Sequence, residues 1–507
     1  MRPIETLVIV SILLTFVVFA VPHLRAIRWM RYIVFITLAL ALVQVLVERP
    51  RWQMAPAYAL TGLLLTVWVV QRVAAADGII KPILTHRVVV ACAIMLCSIG
   101  LGLSVALPLA LPIFQFARPS GPYQIGTLTY HWVDSHRHER FSTDPRAHRE
   151  LMAQIWYPVR GDTSSARAPY VQDATPLSHA MARSLHVPGF TFGYLQEVTT
   201  DAIPSAPVAD DEPTYPVLIF LTGITGFRQS NTFQIEELVS HGYIVVGIDQ
   251  PYAAATVVFP DGHQILGWTR DQMQPLIQQS LSPAASAPML DGQALTNGII
   301  PYFAQDVSFA LDQLTALNTA DPNGLLSGRL DLQRVGTFGV SLGAMVASEA
   351  CHRDVRLKAC LMMDAAMPAE VVRAGLLQPS MWMTRPAAMM RREHWSDADI
   401  AQTLNTMRAV FTKAPAGKGY YVSVSGMFHL NFTDGPYYTP LAPLLDPPLV
   451  GPMNAQRGFD IINAYSVAFF DQHVKGRPAA LLDGPSNRYP EVSFSASGVG
   501  QNPLPLP

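Results

Sequence analysis

The stretch "VGTFGVSLGAMVASEA", Val335–Ala350, holds one serine inside a glycine-bounded pentapeptide, Gly339-Val340-Ser341-Leu342-Gly343. A β-prone run leads into it and small, helix-compatible residues leave it. That context predicts a nucleophile elbow, in which the glycines let strand and helix approach closely. The serine hydroxyl then projects at the end of a sheet, and the N–H of Leu342 points to the same place. The competing reading is a packing turn whose glycines only bring a strand against a helix. The flanking sequence bears on the choice.

Outward from the elbow, strand-like and helix-like segments alternate. The run "PVLIFL" (Pro216–Leu221) is followed by a helix-like segment to Ser240 and by "YIVVGID" (Tyr243–Asp249). A helix near Gln305–Leu317, a strand at Arg334–Phe338, a helix from Ser341 and a strand "KACLMMD" (Lys358–Asp364) come next. "SMWMT" and "YYVSVS" read as two more strands before a last helix, Arg457–Gln472. Continuously apolar strands alternating with helices predict an α/β domain with a mostly parallel sheet covered on both faces. Two strand-like segments, "GTLTYHWVD" and "ELMAQIWYPV", precede this alternation.

A serine hydroxyl is a weak nucleophile until a histidine takes its proton, and the imidazole needs a carboxylate to fix its tautomer and support its charge. In α/β hydrolases these follow in the order serine, acid, histidine. Asp364 ends the apolar run "CLMMD" after room for one helix, a turn and a return strand, which predicts its carboxylate at the serine's sheet edge. The alternative for Asp364 is a cap or turn residue. His429, in "VSVSGMFHLNFTD", directly follows the last strand-like run, whereas His352 lies too close to the serine's own helix. His429 is the expected base, with a structural histidine as the alternative. For the oxyanion, "FLTGITGFRQ" (Phe220–Gln229) follows the first central strand and carries glycines that let N–H groups converge. Ile224 is the expected second donor beside Leu342, although such glycines also serve plain turn geometry.

Together, "ELMAQIWYP", "PVLIFLTGITGFR", "LVSHGYIVVGID", "QDVSFALDQL", "GTFGVSLGA", "CLMMDAAM" and "GMFHLNFTD" resemble the plasma-type platelet-activating-factor acetylhydrolase family and related bacterial carboxylic ester hydrolases, over roughly Gly121 to Glu491. The resemblance implies the α/β-hydrolase fold, with Ser341 as nucleophile, Asp364 as acid, His429 as base, and the N–H groups of Leu342 and Ile224 as oxyanion donors. It departs from the family at Thr222-Gly223, where a histidine-glycine pair is usual.

The N-terminal region is of another kind. Half of the 507 residues are apolar and only 14% charged, and the excess collects before residue 119. Charges there cluster (Arg25, Arg28, Arg31; Glu48, Arg49, Arg51; Arg72, Asp77, Lys81, Arg87) between four uncharged runs, roughly Thr6–Leu24, Trp29–Val47, Met54–Val70 and Val88–Phe116. The last is the one comfortably longer than the ~20 residues a bilayer needs. These predict an N-terminal bundle of about four transmembrane helices over 1–118, a catalytic domain over 119–484 that opens with the linker "FARPSGPYQIG", and an irregular tail over 485–507. The first and third loops carry three Lys or Arg each and the second carries two. By the positive-inside rule the catalytic domain then lies on the periplasmic or extracellular side of a multi-pass, bacterial inner-membrane protein.

The net charge of −2 and the absence of a basic run interleaved with aromatics exclude nucleic acid as a partner. No C-x-x-C spacing occurs, and neither a metal nor another cofactor is expected. Cys351 and Cys360 flank the link between the serine's helix and the acid's strand, where they are either a bridge or two buried thiols. The expected function is hydrolysis of carboxylic esters by a membrane-tethered serine enzyme. The family and a site beside a bilayer point to short-chain acyl esters or phospholipids resembling platelet-activating factor, so the partners are a small ester or lipid and the bilayer. An amidase or peptidase of the same fold, or a non-catalytic lipid-binding sensor, are the alternatives.

Overall fold

The uncharged N-terminal runs become four helices, α1 (Pro3–Ala20), α2 (Ile33–Val47), α3 (Ala55–Asp77) and α4 (Arg87–Ala110). They are seen in a computed structural model that describes residues 1–21, 23–24, 27–77, 87–161, 166–290, 293–444 and 448–498. The chain divides into two units: Met1–Phe114 with Tyr438–Leu441, and Gln115–Tyr437 with Ala442 onward.

Among its described residues the first unit holds four helical stretches long and apolar enough to cross a membrane, Pro3–Ala20, Met30–Val47, Trp52–Val73 and Ala91–Ala110. They are greasy on all sides: α1 buries Val8 and Ile12 yet exposes Leu7, Leu13 and Leu14. Several polar groups turn inward. Thr15 and Thr37 share a hydrogen bond of 2.8 Å, and buried Glu5 meets buried Arg51 at 2.7 Å. Two expectations change here. The third run, expected to be short, is a helix of 23 residues. The fourth, expected to reach Phe116, stops at Ala110, two residues before Pro112, which has no amide to carry the helical ladder on. Of the third loop used for the orientation, residues 78–86, with Lys81, lie outside the described residues.

The second unit is built on a ten-stranded sheet. Its strands are β1 (Gln124–His138), β2 (His148–Val159), β3 (Ala202–Pro204), β4 (Tyr215–Leu221), β5 (Ile244–Asp249), β6 (Leu330–Val340), β7 (Leu357–Met363), β8 (Ser380–Thr384), β9 (Gly419–Val424) and β10 (Val492–Ala496). The order is β10-β9-β8-β7-β6-β4-β5-β2-β1-β3. The six strands from β9 to β5 run parallel, while β10 and β2 join antiparallel at either side.

All of β4 is buried, as a continuous apolar run requires. Its side chains alternate between faces with the period of a strand. Val217, Ile219 and Leu221 join a core with α6 (Ile300–Thr319) and α7 (Leu342–Arg353), through Phe303, Val307, Leu314 and Val346. Leu218 and Phe220 join another with α5 (Thr232–Ser240) and α8 (Ala455–His473), through Phe233, Leu238, Phe459 and Phe469. This mixed, mostly parallel sheet with helices on both faces is the α/β-hydrolase arrangement.

The segment after Gly484, expected to be irregular, contributes β10. Its sequence VSFSA alternates, Val492 and Phe494 are buried, and Val422 pairs with Phe494 across the antiparallel edge. The end of that tail, residues 499–507, lies outside the described residues. Cys351 and Cys360 form a disulfide with a Cα separation of 6.6 Å, tying the end of α7 to β7.

Candidate active site

Ser341 stands between β6 and α7 with φ 56° and ψ −124°, a conformation that a non-glycine residue adopts only when its surroundings impose it. Its neighbours show the imposition. A Cβ on Gly343 would lie 2.0 Å from the Leu221 carbonyl oxygen, and one on Gly339 would lie 2.5 Å from the Gly343 carbonyl carbon. Only glycine allows strand and helix to come this close. The Ser341 N–H donates to the Met363 carbonyl at 2.9 Å, which pins the elbow to the neighbouring strand.

Asp364 follows β7, one residue beyond Met363, which pairs with Val340 of β6. It too is left-handed, with φ 51°, and its N–H donates to the Met383 carbonyl at 2.8 Å. Its side chain is buried. Thr384 donates to Oδ1 at 2.9 Å, and His429 Nδ1 lies 2.6 Å from Oδ2. A carboxylate there assigns the imidazole proton to Nδ1 and leaves Nε2 as an acceptor. Asp364 and His429, foreseen as acid and base, are thus brought together, and Ser341 leaves the strand next to Asp364. Among the described residues the Ser341 hydroxyl makes no hydrogen bond, to His429 or to any other group.

The segment bearing His429 is held by Asn431 and Asp434 of the quoted "GMFHLNFTD", residues to which the sequence reading gave no role. Asn431 Oδ1 accepts from the N–H groups of Phe428 at 2.8 Å and Gly451 at 2.7 Å. Asp434 accepts from the N–H of Thr232 at 2.9 Å and of Phe233 at 3.2 Å, the first turn of α5, and from the Tyr170 hydroxyl at 2.8 Å. Burial nonetheless pushes the Asp434 carboxyl up to about 7. The local signal was the short spacing of polar residues around His429.

The loop after β4 passes beside the serine: a Cβ on Gly223 would meet the Ser341 Cβ at 3.1 Å. A turn closed by Gly226 N–H to the Gly223 carbonyl at 3.0 Å, with Thr225 at φ 57°, shapes it. Among the described residues the N–H groups of Ile224 and Leu342 have no acceptor, so both remain available as donors. Thr222, standing where a histidine is usual, turns its hydroxyl to Ser230 at 2.8 Å, inside the protein.

Burial and then Arg385 push the His429 imidazole down to about 4, with Glu393 opposing. The Asp364 carboxylate at 2.6 Å also opposes the fall. The ring is therefore neutral at neutral pH, as a proton acceptor must be. Arg385, Glu393 and Trp395 were not foreseen, because nothing in "TRPAAMMRREHW" marks a contact with residues so far along the chain. Among the described residues no group of three or more His, Cys, Asp or Glu side chains could hold a metal ion.

A family profile described as "Platelet-activating factor acetylhydrolase, isoform II" matches residues 112–268, which include Ile224 and end before the serine. A probable 1-alkyl-2-acetylglycerophosphocholine esterase from Arthroderma benhamiae is 23% identical over 413 residues, 75% of this chain and 94% of its own length. A platelet-activating factor acetylhydrolase from Cavia porcellus is 23% identical over 51% of this chain and 58% of its own. Among solved structures, a ferulic acid esterase from Streptomyces cinnamoneus superposes with a TM-score of 0.59 at 27% identity, covering 76% of this chain and 99% of that one. The resemblance read from the sequence is borne out: these likenesses are to the platelet-activating factor acetylhydrolases and related bacterial esterases.

Proposed function

We propose that this chain, a serine ester hydrolase related to the platelet-activating factor acetylhydrolases and to bacterial esterases, works through Ser341, His429 and Asp364. The observation that carries the reading is the 2.6 Å contact of His429 Nδ1 with Asp364 at the sheet edge where the Ser341 elbow emerges. The neutral imidazole takes the serine proton at Nε2 while Oγ bonds to the ester carbonyl carbon. The N–H groups of Leu342 and Ile224 receive the oxyanion. Collapse of the adduct breaks the bond to the alcohol, which leaves with the proton from His429. Water, deprotonated by the same histidine, then frees the acid and restores Ser341.

The substrates are short-chain acyl esters, or phospholipids with a short acyl group such as those that resemble platelet-activating factor. Relatives named for such an ester support this, as do four helices apolar enough to hold the enzyme at a bilayer. The helices of 1–118 anchor the chain, and the catalytic domain lies on the outer side of the membrane. Full-length Ser341→Ala protein tests the reading. It should retain its fold and lose hydrolysis of 4-nitrophenyl acetate, whereas activity equal to the parent would refute it.

A further inference from the structure

Behind the pair formed by His429 and Asp364 lies a second pair of charges. Arg385 follows β8 directly and is wholly buried. One end of its guanidinium abuts Oδ2 of Asp364, the oxygen that also faces His429, and the other end pairs with Glu393. The guanidinium carbon sits 4.6 Å from the ring centre of Trp395, which in turn is 5.6 Å from the ring of His429. Glu393 does more than neutralise Arg385. Both of its carboxylate oxygens lie 3.2 Å from the main-chain N–H of His429.

This arrangement poses an electrostatic problem. An arginine against the acid of a triad stabilises the aspartate as an anion, but it also cancels the negative charge on which the imidazolium depends during catalysis. Asp364 and Arg385 alone sum to zero. With Glu393 the cluster again carries one negative charge, and that charge reaches His429 both through Asp364 and through its own main chain. Among the described residues, the charged groups that act on the imidazole are Asp364, Arg385, Glu393 and, from the helix that begins there, Arg270.

We propose that Glu393 is a positioning residue for the base, acting with Arg385: it holds the main chain of His429 and offsets the arginine charge so that Asp364 still supports the imidazolium. This rests on the reading of His429 as the base that serves Ser341. Arg385, in turn, keeps Asp364 ionised and in register with the ring. Neither residue touches the reacting atoms.

The two members of the clamp act on the base with opposite sign, because Arg385 lowers the affinity of His429 for a proton while Glu393 raises it. The test is the pH dependence of kcat/KM for 4-nitrophenyl acetate with full-length protein in detergent. Glu393→Gln should lower kcat by about tenfold or more and move the acid limb down by roughly 0.5 to 1 pH unit, and Arg385→Gln should move the limb up. The double variant should return toward the parent, and Arg385→Lys, which keeps the charge, should stay near it. Limbs that move together, or that stay fixed while only thermal stability falls, would overturn the proposal. If Arg385→Gln fails to fold, Glu393→Gln alone decides, since an unmoved or raised limb refutes the clamp. Labelling of the parent by a fluorophosphonate separates the two levels. A labelled Ser341 with unmoved limbs removes the clamp only, whereas failure to label Ser341 removes the reading of the base and the clamp with it.

Discussion

Ser341 and Asp364 each follow one member of a directly paired couple, Val340 of β6 and Met363 of β7, and both turn there into the left-handed region, with φ of 56° and 51°. Two adjacent parallel strands are thus each followed by a residue with positive φ at the same end of the sheet. A parallel register leaves neighbouring strand ends side by side, so a hydroxyl and a carboxylate that are far apart in sequence reach a common space. Two non-glycine residues in this region cost of order 1–3 kcal/mol each. The surrounding hydrogen bonds, Ser341 N–H to Met363 and Asp364 N–H to Met383, hold both in place.

Asp364→Asn should leave the fold intact and lower kcat by about 10³ to 10⁴ at neutral pH. The amide can reverse the imidazole tautomer and cannot support its charge. Kinetics on a soluble ester, with circular dichroism as the control for folding, measure this. A loss smaller than tenfold would remove Asp364 from the mechanism.

The disulfide joins the end of α7 to β7 across a sequence separation of 9 residues. Cys351→Ala with Cys360→Ala should lower stability by about 2–3 kcal/mol in the chain-entropy model, read from denaturant unfolding. Such a bridge persists in an oxidising compartment, which ties it to the proposed outer location. Asn487 is exposed, so a cysteine there should react with an impermeant thiol reagent in intact cells once any outer membrane is opened. Protection until the inner membrane is lysed would place the domain inside.

Asp434 gives the protein a predicted pH signature. Its folded-state pKa, pushed up to about 7, lies above the ordinary 3.8 that it regains on unfolding. Between about pH 4 and 7 the folded state holds a proton that the unfolded state has released, so stability from this group is full below that window and is lost as pH rises through it. The slope is at most about 1.4 kcal/mol per pH unit. Asp434→Asn should therefore gain on the parent as pH rises from 4 to 7, measured by thermal unfolding. A difference between the two that stays constant with pH would contradict the assignment.

The elbow was legible because its cause is local: glycines at both ends of a pentapeptide between a strand and a helix are visible in one window. The proposed acid and base, Asp364 and His429, were read from chain order and strand ends, and the structure brings the two side chains together. Thr384, Arg385, Glu393 and Asp434 were not legible, because their roles arise where distant segments meet, such as Asp434 with the first turn of α5. The strand Val492–Ala496 was hidden for a related reason. A five-residue alternating run after a Pro- and Gly-containing stretch carries little signal until β9 offers it a partner. In the N-terminal region hydropathy located the helices, but their ends were set by Pro112 beyond Ala110 and by a longer third helix.

The central claim is that Ser341 is the nucleophile, and covalent capture tests it most directly. Full-length protein treated with a fluorophosphonate, digested and sequenced by mass spectrometry should carry the adduct on Ser341, with esterase activity lost in proportion. Labelling should disappear in Ser341→Ala and slow sharply in His429→Ala. An adduct mapped to another serine, or full activity in protein labelled at Ser341, would contradict the account.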